Sequence, residues 1–334
     1  MTGRFAPSPT GEMHLGNVLA ALLSWLSARQ QGGLWRLRIE DLDPQRSRQE
    51  YADRLMRDLE WLGLTWDGEV VYQSQRTAIY EQYLQQLHGL TYPCTCTRNE
   101  ILAAQAPHES DGRVVYPGTC RPRSATGLHR VPLSSPHSTL FVGTPLGGTK
   151  ATRASAFPTT TFQVASGTPE LRPAAIRLMV PDEMIEYEDR VYGHQAVNLA
   201  THCGDFILRR SDGVFAYQLA VVVDDAEMGV TEIVRGRDLL LSAAQQHYLR
   251  RILGFTQPVY CHHPLLVNTQ GQRLCKRDQS LAVSAMRQHS TAEQIIGKLA
   301  HTIGLTPTPE PVTAEQLIPI FSWTKIPQQD IAVG

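Results

Sequence analysis

The hydrophobic and polar pattern opens with an extended segment, Thr2 to Pro9, that runs into the loop Pro7-Ser8-Pro9-Thr10-Gly11. Leu15, Leu19, Leu22 and Leu26 then recur at steps of three and four, which predicts an amphipathic helix. Arg36 to Glu40 alternates as a strand, with Leu37 and Ile39 on one face. Asp43-Pro44 predicts an N-cap and first-turn proline for a helix running to about Gly63, buried along Tyr51, Leu55, Leu59 and Leu62. Such alternation of strands and helices builds parallel sheets, which gather ligands at the carboxyl ends of their strands, where Pro9 and Glu40 fall. Residues 1–90 therefore read as the first half of a Rossmann-like α/β domain.

From about Thr91 the texture changes. Residues 91–200 read as an insertion that begins with a cysteine cluster and continues through Arg121 to Arg172, a stretch rich in Ser, Thr, Pro and Gly with weak periodicity. Regular structure resumes at Ala174. Tyr217 to Val223, ending in Asp224-Asp225, and Thr231 to Val234, ending in Arg235, both read as buried parallel strands with polar tips, so residues 201–260 form the second Rossmann-like half. A helix over Leu239 to Leu253, a strand over Pro264 to Val267 and a polar loop over Gly271 to Ser280 follow. Residues 261–334 are thus a loop plus a short helical C-terminal part, too small beyond the loop for a comfortable further core of ~70 residues.

Composition narrows the class. At 334 residues, 42% hydrophobic and 19% charged, the chain has room for two or three modules and an ordinary globular balance. No segment approaches the ~20 apolar residues that span a bilayer, and Met1 to Pro9 lacks the apolar core of a signal peptide, so a soluble cytoplasmic protein without membrane contact is expected. A formal net charge of -1 argues against binding nucleic acid through bulk electrostatics, while leaving room for a local basic face. Of six cysteines, Cys94, Cys96 and Cys120 crowd together. With Tyr116 they offer four ligands to a tetrahedral zinc; the residues alone leave that reading and one of buried free thiols both open.

His14-Leu15-Gly16-Asn17 stands at the start of the first predicted helix, where free backbone N–H groups and the helix dipole favour a phosphate and Gly16 admits a nucleotide close to the backbone. By itself this tetrapeptide is a weak signal, read more readily as an ordinary helix start capped by polar residues. Preceded by Arg4-Phe5-Ala6-Pro7-Ser8-Pro9-Thr10-Gly11, however, it resembles the opening of the glutamyl-tRNA synthetase family, with its HIGH-type element. Arg273-Leu274-Cys275-Lys276-Arg277 resembles the KMSKS signature of class I synthetases, and Ile39 to Asp43, Val221 to Asp225 with Tyr217, and Gly229 to Gly236 follow the same family. The likeness spans roughly residues 1–120 and 174–334. It implies a class I catalytic domain: a Rossmann-like parallel sheet, a zinc-bearing insertion and a short helical C-terminal part.

The resemblance also implies roles. Arg4, Ala6, Ser8, Glu40, Tyr217 and Arg235 match positions that hold glutamate; His14, Gly16, Asn17 and Lys276 match the nucleotide site, with Lys276 and His14 at the chemistry. Guanidinium groups suit a substrate carboxylate, and Glu40 suits its ammonium. Cys275 stands where the family has Ser and Asn17 where it has His. Cys-x-Cys followed by Tyr-x-x-x-Cys resembles the glutamyl-queuosine tRNA(Asp) synthetases, truncated paralogues of glutamyl-tRNA synthetase, and implies one structural Zn2+ on Cys94, Cys96, Tyr116 and Cys120. ATP, glutamate, Mg2+ and queuosine-bearing tRNA(Asp) are the implied ligands and partner, and a monomer is expected. The rival readings are a truncated glutamyl-tRNA synthetase that charges a tRNA 3' end, a HIGH-type nucleotidyltransferase acting on a small acid, and a non-catalytic tRNA-binding remnant.

Overall fold

A computed structural model describes residues 1–104, 115–122, 173–268, 270–272 and 282–333. Lys276, the rest of the KMSKS-type loop and all but the first two positions of the stretch 121–172 lie outside the described residues.

Two half-sheets form the centre. In the first, β1 (Thr2–Phe5), β2 (Leu34–Ile39) and β3 (Val71–Tyr72) run parallel in that order. The helices α1 (Leu15–Gln30) and α2 (Gln49–Trp61) make the crossings, and α3 (Thr77–Gln86) follows. Next come β4 (Thr91–Cys94), α4 (Arg98–Ala104), β5 (Ala175–Leu178), the hairpin β6 (Met184–Asp189) and β7 (Gly193–Asn198), α5 (Leu199–His202) and β8 (Phe206–Arg209). β4, β5 and β8 form a separate antiparallel sheet. The chain continues through α6 (Tyr217–Glu227), β9 (Glu232–Gly236), α7 (Leu240–Leu253), β10 (Val259–His263) and β11 (Leu266–Val267). The second half-sheet has the order β7-β6-β10-β9, with β6, β10 and β9 parallel. Beyond it lie α8 (Val283–Met286), α9 (Ala292–Thr302), α10 (Ala314–Leu317) and β12 (Ile331–Ala332), which pairs with β11.

The half-sheets meet along β1 and β9. Thr231 N–H donates to Thr2 O at 2.9 Å, and the Arg4 side chain bridges to Val234 O at 3.0 Å. From this seam the chain winds outward to β2 and β3 on one side and to β10 on the other, a topological switch point of the kind that opens a crevice at the carboxyl strand ends. Among the described residues no helix is long and apolar enough to cross a membrane.

Four expectations need correction. Tyr217 to Val223 is not a strand but the start of α6. Leu219 to Asp225 are all buried, so the run has no polar face; a short continuous apolar run does not by itself separate a buried strand from a buried helix, and packing overrides the strand preference of three valines. Second, α2 begins at Gln49 rather than at Pro44. Asp43 Oδ1 accepts from Gln45 N, and Arg48 N–H donates to Pro9 O at 3.0 Å, so the Asp-Pro pair makes a turn that ties this segment to the β1 loop before the helix starts. Of the predicted stripe Leu55, Leu59 and Leu62 are buried, but Tyr51 is only half-buried. Third, α1 is buried almost all round instead of being amphipathic. Its polar Ser24 and Ser27 are satisfied by Ala21 O, Trp35 Nε1 and Glu232. The predicted strand over 264–267 shrinks to Leu266–Val267.

Candidate active site

Arg4 near the end of β1, Glu40 one residue past β2, Tyr217 in the first turn of α6 and Arg235 on β9 converge on the crevice. Each lies within electrostatic reach of others in the set: Arg4 feels Arg235 and Tyr217, and Tyr217 feels Arg235, Glu40 and Arg4. Ala6 is half-buried and Ser8 exposed in the loop after β1, which Glu40 N–H anchors by donating to Pro7 O at 2.9 Å.

Beneath them lies a buried ionic network. Asp225 Oδ1 accepts from Arg38 Nη1 at 2.6 Å and from Arg4 Nε at 3.3 Å, with Arg250 4.0 Å from the other oxygen. Asp224 accepts from Arg76 Nε, Gln73 Nε2 and Tyr80 Oη. Arg38 also donates to Glu40 Oε1 at 3.0 Å. Burial alone would push the Asp225 carboxyl up, but Arg38, Arg4 and Arg250 pull it down to about 2. Burial likewise depresses the Arg4 guanidinium and raises Glu40 against the pull of Arg38 and Arg4. The carboxylates therefore fix the guanidinium groups of Arg38 and Arg4 and offset the cost of burying them.

Arg235 is held differently. It is 5% exposed, and every acceptor it meets is neutral: His262 Nε2 at 3.0 Å from Nε, Gln246 Oε1 at 2.7 Å and Tyr217 Oη at 3.5 Å from Nη1, and Leu239 O at 3.4 Å from Nη2. No carboxylate among the described residues lies within ion-pair distance of it. Across the site, the guanidinium groups of Arg4, Arg38, Arg76, Arg235 and Arg250 outnumber the carboxylates of Glu40, Asp224 and Asp225. A buried cation without a counter-charge favours an anionic ligand.

A second cleft adjoins this one at the chain neighbours Arg235 and Gly236, lined by His14, Gly16, Asn17, Gly236, Leu239 and His263. His14 caps α1, its Nδ1 accepting from Gly16 N while its own N–H donates to Asn17 Oδ1 at 3.1 Å. Asn17 thus serves the helix cap, a use for which the residue's place in a signature gives no hint. A Cβ at Gly236 would stand 2.5 Å from Asp238 Oδ1 and 3.0 Å from Leu265 Cδ2, so a larger residue there would have to displace those side-chain ends.

The cysteine set is also brought together. Sγ atoms of Cys94, Cys96 and Cys120 lie within 4.8 Å of one another, Cys96 and Cys120 being 3.5 Å apart, and Tyr116 Oη lies 3.4 Å from Cys94 Sγ and 4.0 Å from Cys96 Sγ. Tetrahedral zinc with Zn–S of ~2.3 Å and Zn–O of ~2.0 Å needs edges of about 3.5 to 3.8 Å, so the donor set fits that ion. Burial opposes the Cys94 thiolate, yet Tyr116, Arg177 and the backbone at Cys96 bring the thiol down to about 7; burial and the neighbouring thiols push Cys96 up to about 11. Arg177 stacks 3.8 Å over the Tyr116 ring and donates to Asp205 O, while Asp205 accepts from Tyr92, Arg121 and Val180, which fastens the cluster to the antiparallel sheet.

The reading of residues overlooked Arg38, Asp189, Gln246 and His262. Arg38 had a signal, a charged residue on the face of β2 opposite Leu37 and Ile39, two positions before Glu40. The others had none, because their partners lie on other elements that only the fold brings together.

Comparison with known proteins agrees with this geometry. Residues 1–124 and 150–330 match the catalytic domain of the class I tRNA synthetases (E and Q). A crystal structure of a glutamate tRNA ligase from Elizabethkingia meningosepticum in complex with its amino acid superposes with a TM-score of 0.74 at 26% identity, covering 100% of this chain and 67% of that one. The fold is that of a class I tRNA synthetase catalytic domain, a class for which ATP is a substrate. A glutamyl-Q tRNA(Asp) synthetase of Deinococcus radiodurans is 44% identical over 331 residues, 96% of this chain and 96% of its own length, and one of Geobacter sulfurreducens is 43% identical over 288 residues, 85% and 78% respectively. The chain belongs to the glutamyl-Q tRNA(Asp) synthetase family.

Proposed function

We propose that this chain activates glutamate with ATP and transfers the glutamyl group to the queuosine base in the anticodon of tRNA(Asp). The observation that carries the reading is Arg235, a buried guanidinium with only neutral acceptors, beside Arg4 at the switch point of a class I catalytic domain. Arg4 and Arg235 receive the carboxylates of glutamate, Tyr217 Oη adds a directional bond, Glu40 accepts the ammonium, and the loop of Ala6 and Ser8 closes over the amino acid. The nucleotide takes the cleft of His14, Gly16 and Asn17, with its phosphates toward the N-terminus of α1 and the Lys276 ammonium neutralising the departing pyrophosphate. A Mg2+ ion belongs with those phosphates, as is usual for this ion, and supplies charge neutralisation when bound.

A glutamate carboxylate oxygen attacks the α-phosphorus in line; its O–P bond forms as the bond to the β-phosphate oxygen breaks, releasing pyrophosphate. A hydroxyl of the queuosine cyclopentene ring then attacks the mixed-anhydride carbonyl, losing its proton as AMP leaves. The chain's contribution is to hold the two reactants and their charges in place, since no protein nucleophile is needed. We read the protein as a cytoplasmic monomer. Charging with labelled glutamate tests the acceptor: queuosine-containing tRNA(Asp) is esterified and queuosine-free tRNA(Asp) is not. Equal charging of both would transfer the reading to a tRNA 3' end.

Cys94, Cys96, Tyr116 and Cys120 hold a structural zinc in this proposal, a role suited to thiols in a reducing compartment. Elemental analysis should return one zinc per chain, and Cys120→Ala should lose it. Folded, metal-free protein with three titratable thiols at this cluster would remove the metal from the account.

A further inference from the structure

Arg235 Nε carries a hydrogen and no lone pair, so His262 Nε2, 3.0 Å away, has to accept. The imidazole proton then sits on Nδ1, where it points at Asp189 Oδ2 2.6 Å away. Asp189 is itself immobilised: its carboxylate accepts backbone N–H bonds from Val191 at 3.0 Å, Tyr192 at 2.9 Å and His262 at 3.1 Å. Asp189 and His262 are both buried, at 3% and 0% exposure, and both come from the second half-sheet, on β6 and β10, on either side of which the pattern of strand pairing is fixed. Tyr260 stacks against His262 at 6.1 Å and lies 5.6 Å from the Arg235 guanidinium carbon, which leaves the imidazole one orientation.

The geometry points to His262 as a positioning residue for glutamate selection: Asp189 fixes its tautomer, and its Nε2 lone pair aims the Arg235 guanidinium while leaving that group's charge for the substrate. A carboxylate in place of His262 would orient Arg235 equally well but would neutralise it, as Asp225 does for Arg38. A neutral acceptor backed by a buried anion one residue further away orients without neutralising. The inference rests on Arg235 receiving a glutamate carboxylate, as proposed above.

Three substitutions separate the contributions. His262→Asn keeps a donor toward Asp189 and removes the acceptor for Arg235; His262→Gln reaches far enough to supply an amide oxygen at the Nε2 position; His262→Leu removes both. In pyrophosphate exchange with queuosine-containing tRNA(Asp) present, His262→Asn and His262→Leu should raise the glutamate KM about tenfold, with the ATP KM unchanged. His262→Gln should recover most of that loss. If His262→Leu fails to fold, the contrast between Asn and Gln, both able to bond to Asp189, still decides. A glutamate KM within twofold of the parent for His262→Asn, or equal impairment of Asn and Gln, overturns the inference. Arg235→Gln run alongside distinguishes the cause: if it too leaves the glutamate KM unchanged, the fault lies in the assignment of Arg235, whereas a raised KM for Arg235→Gln alone removes only the role of His262.

Discussion

Replacing Arg235 by Gln should lower kcat/KM for glutamate in pyrophosphate exchange by about 100-fold or more and erode discrimination against glutamine. Removing one partner of a buried charged pair costs about 2 to 5 kcal/mol, because the other charge is left uncompensated, and 1.36 kcal/mol is about a factor of ten in rate. The upper part of that range applies here because no described carboxylate competes for Arg235, so the full interaction is available to substrate. Glutamine, lacking the side-chain charge, should suffer less, so the ratio of the two specificities shrinks. Steady-state measurement with both amino acids checks this. A specificity ratio equal to the parent's would mean that the guanidinium serves the fold and not the substrate.

Asp225→Asn should be the most damaging change for stability. The side chain keeps its shape but loses the charge that holds Arg38 and Arg4 and faces Arg250, leaving buried guanidinium groups in excess. Breaking such a pair costs about 3 to 5 kcal/mol, which in a chain of this size lowers the melting temperature by roughly 4 to 7 °C. The same residue sets an acid limit. Its carboxyl, held at about 2 in the folded state, lies below the ordinary value of ~3.9. Its stabilisation is therefore complete above pH ~4 and is lost as pH falls toward about 2. The Asn variant should lack that part of the acid transition. Thermal melts of both proteins between pH 2 and 6 make the comparison, and superimposable curves would contradict it.

How far the site could be read in advance depended on where each residue's partners come from. Arg4, Glu40, Tyr217 and Arg235 stand at or beside the ends of elements, within motifs that keep their spacing along the chain, and the fold gathers all four. What the pattern of residues does not encode is the layer below. Arg38 and Asp225 are 187 positions apart and His262 and Asp189 are 73 apart, so neither member of either pair points to the other along the chain. The misreading of Tyr217 to Val223 has the same origin: a segment buried on every side displays no period, and only the surrounding elements decide between strand and helix. Asp43-Pro44 failed as a helix start for the opposite reason, since a tertiary bond from Arg48 to Pro9 outweighed a sound local signal.

The cysteine-bearing module has a further consequence for how the chain can lengthen. Arg121 is tied to Asp205 and to Val180 O, and Ala175 is paired with Cys94, so the connection that leaves after Pro122 and returns before β5 starts and finishes on one fastened unit. Chain added between two such anchors adds only about 0.6 kcal/mol for each doubling of a flexible stretch. Length changes between Pro122 and β5 therefore meet that one unit at both ends, and the interruption of the family match at 125–149 falls between those ends.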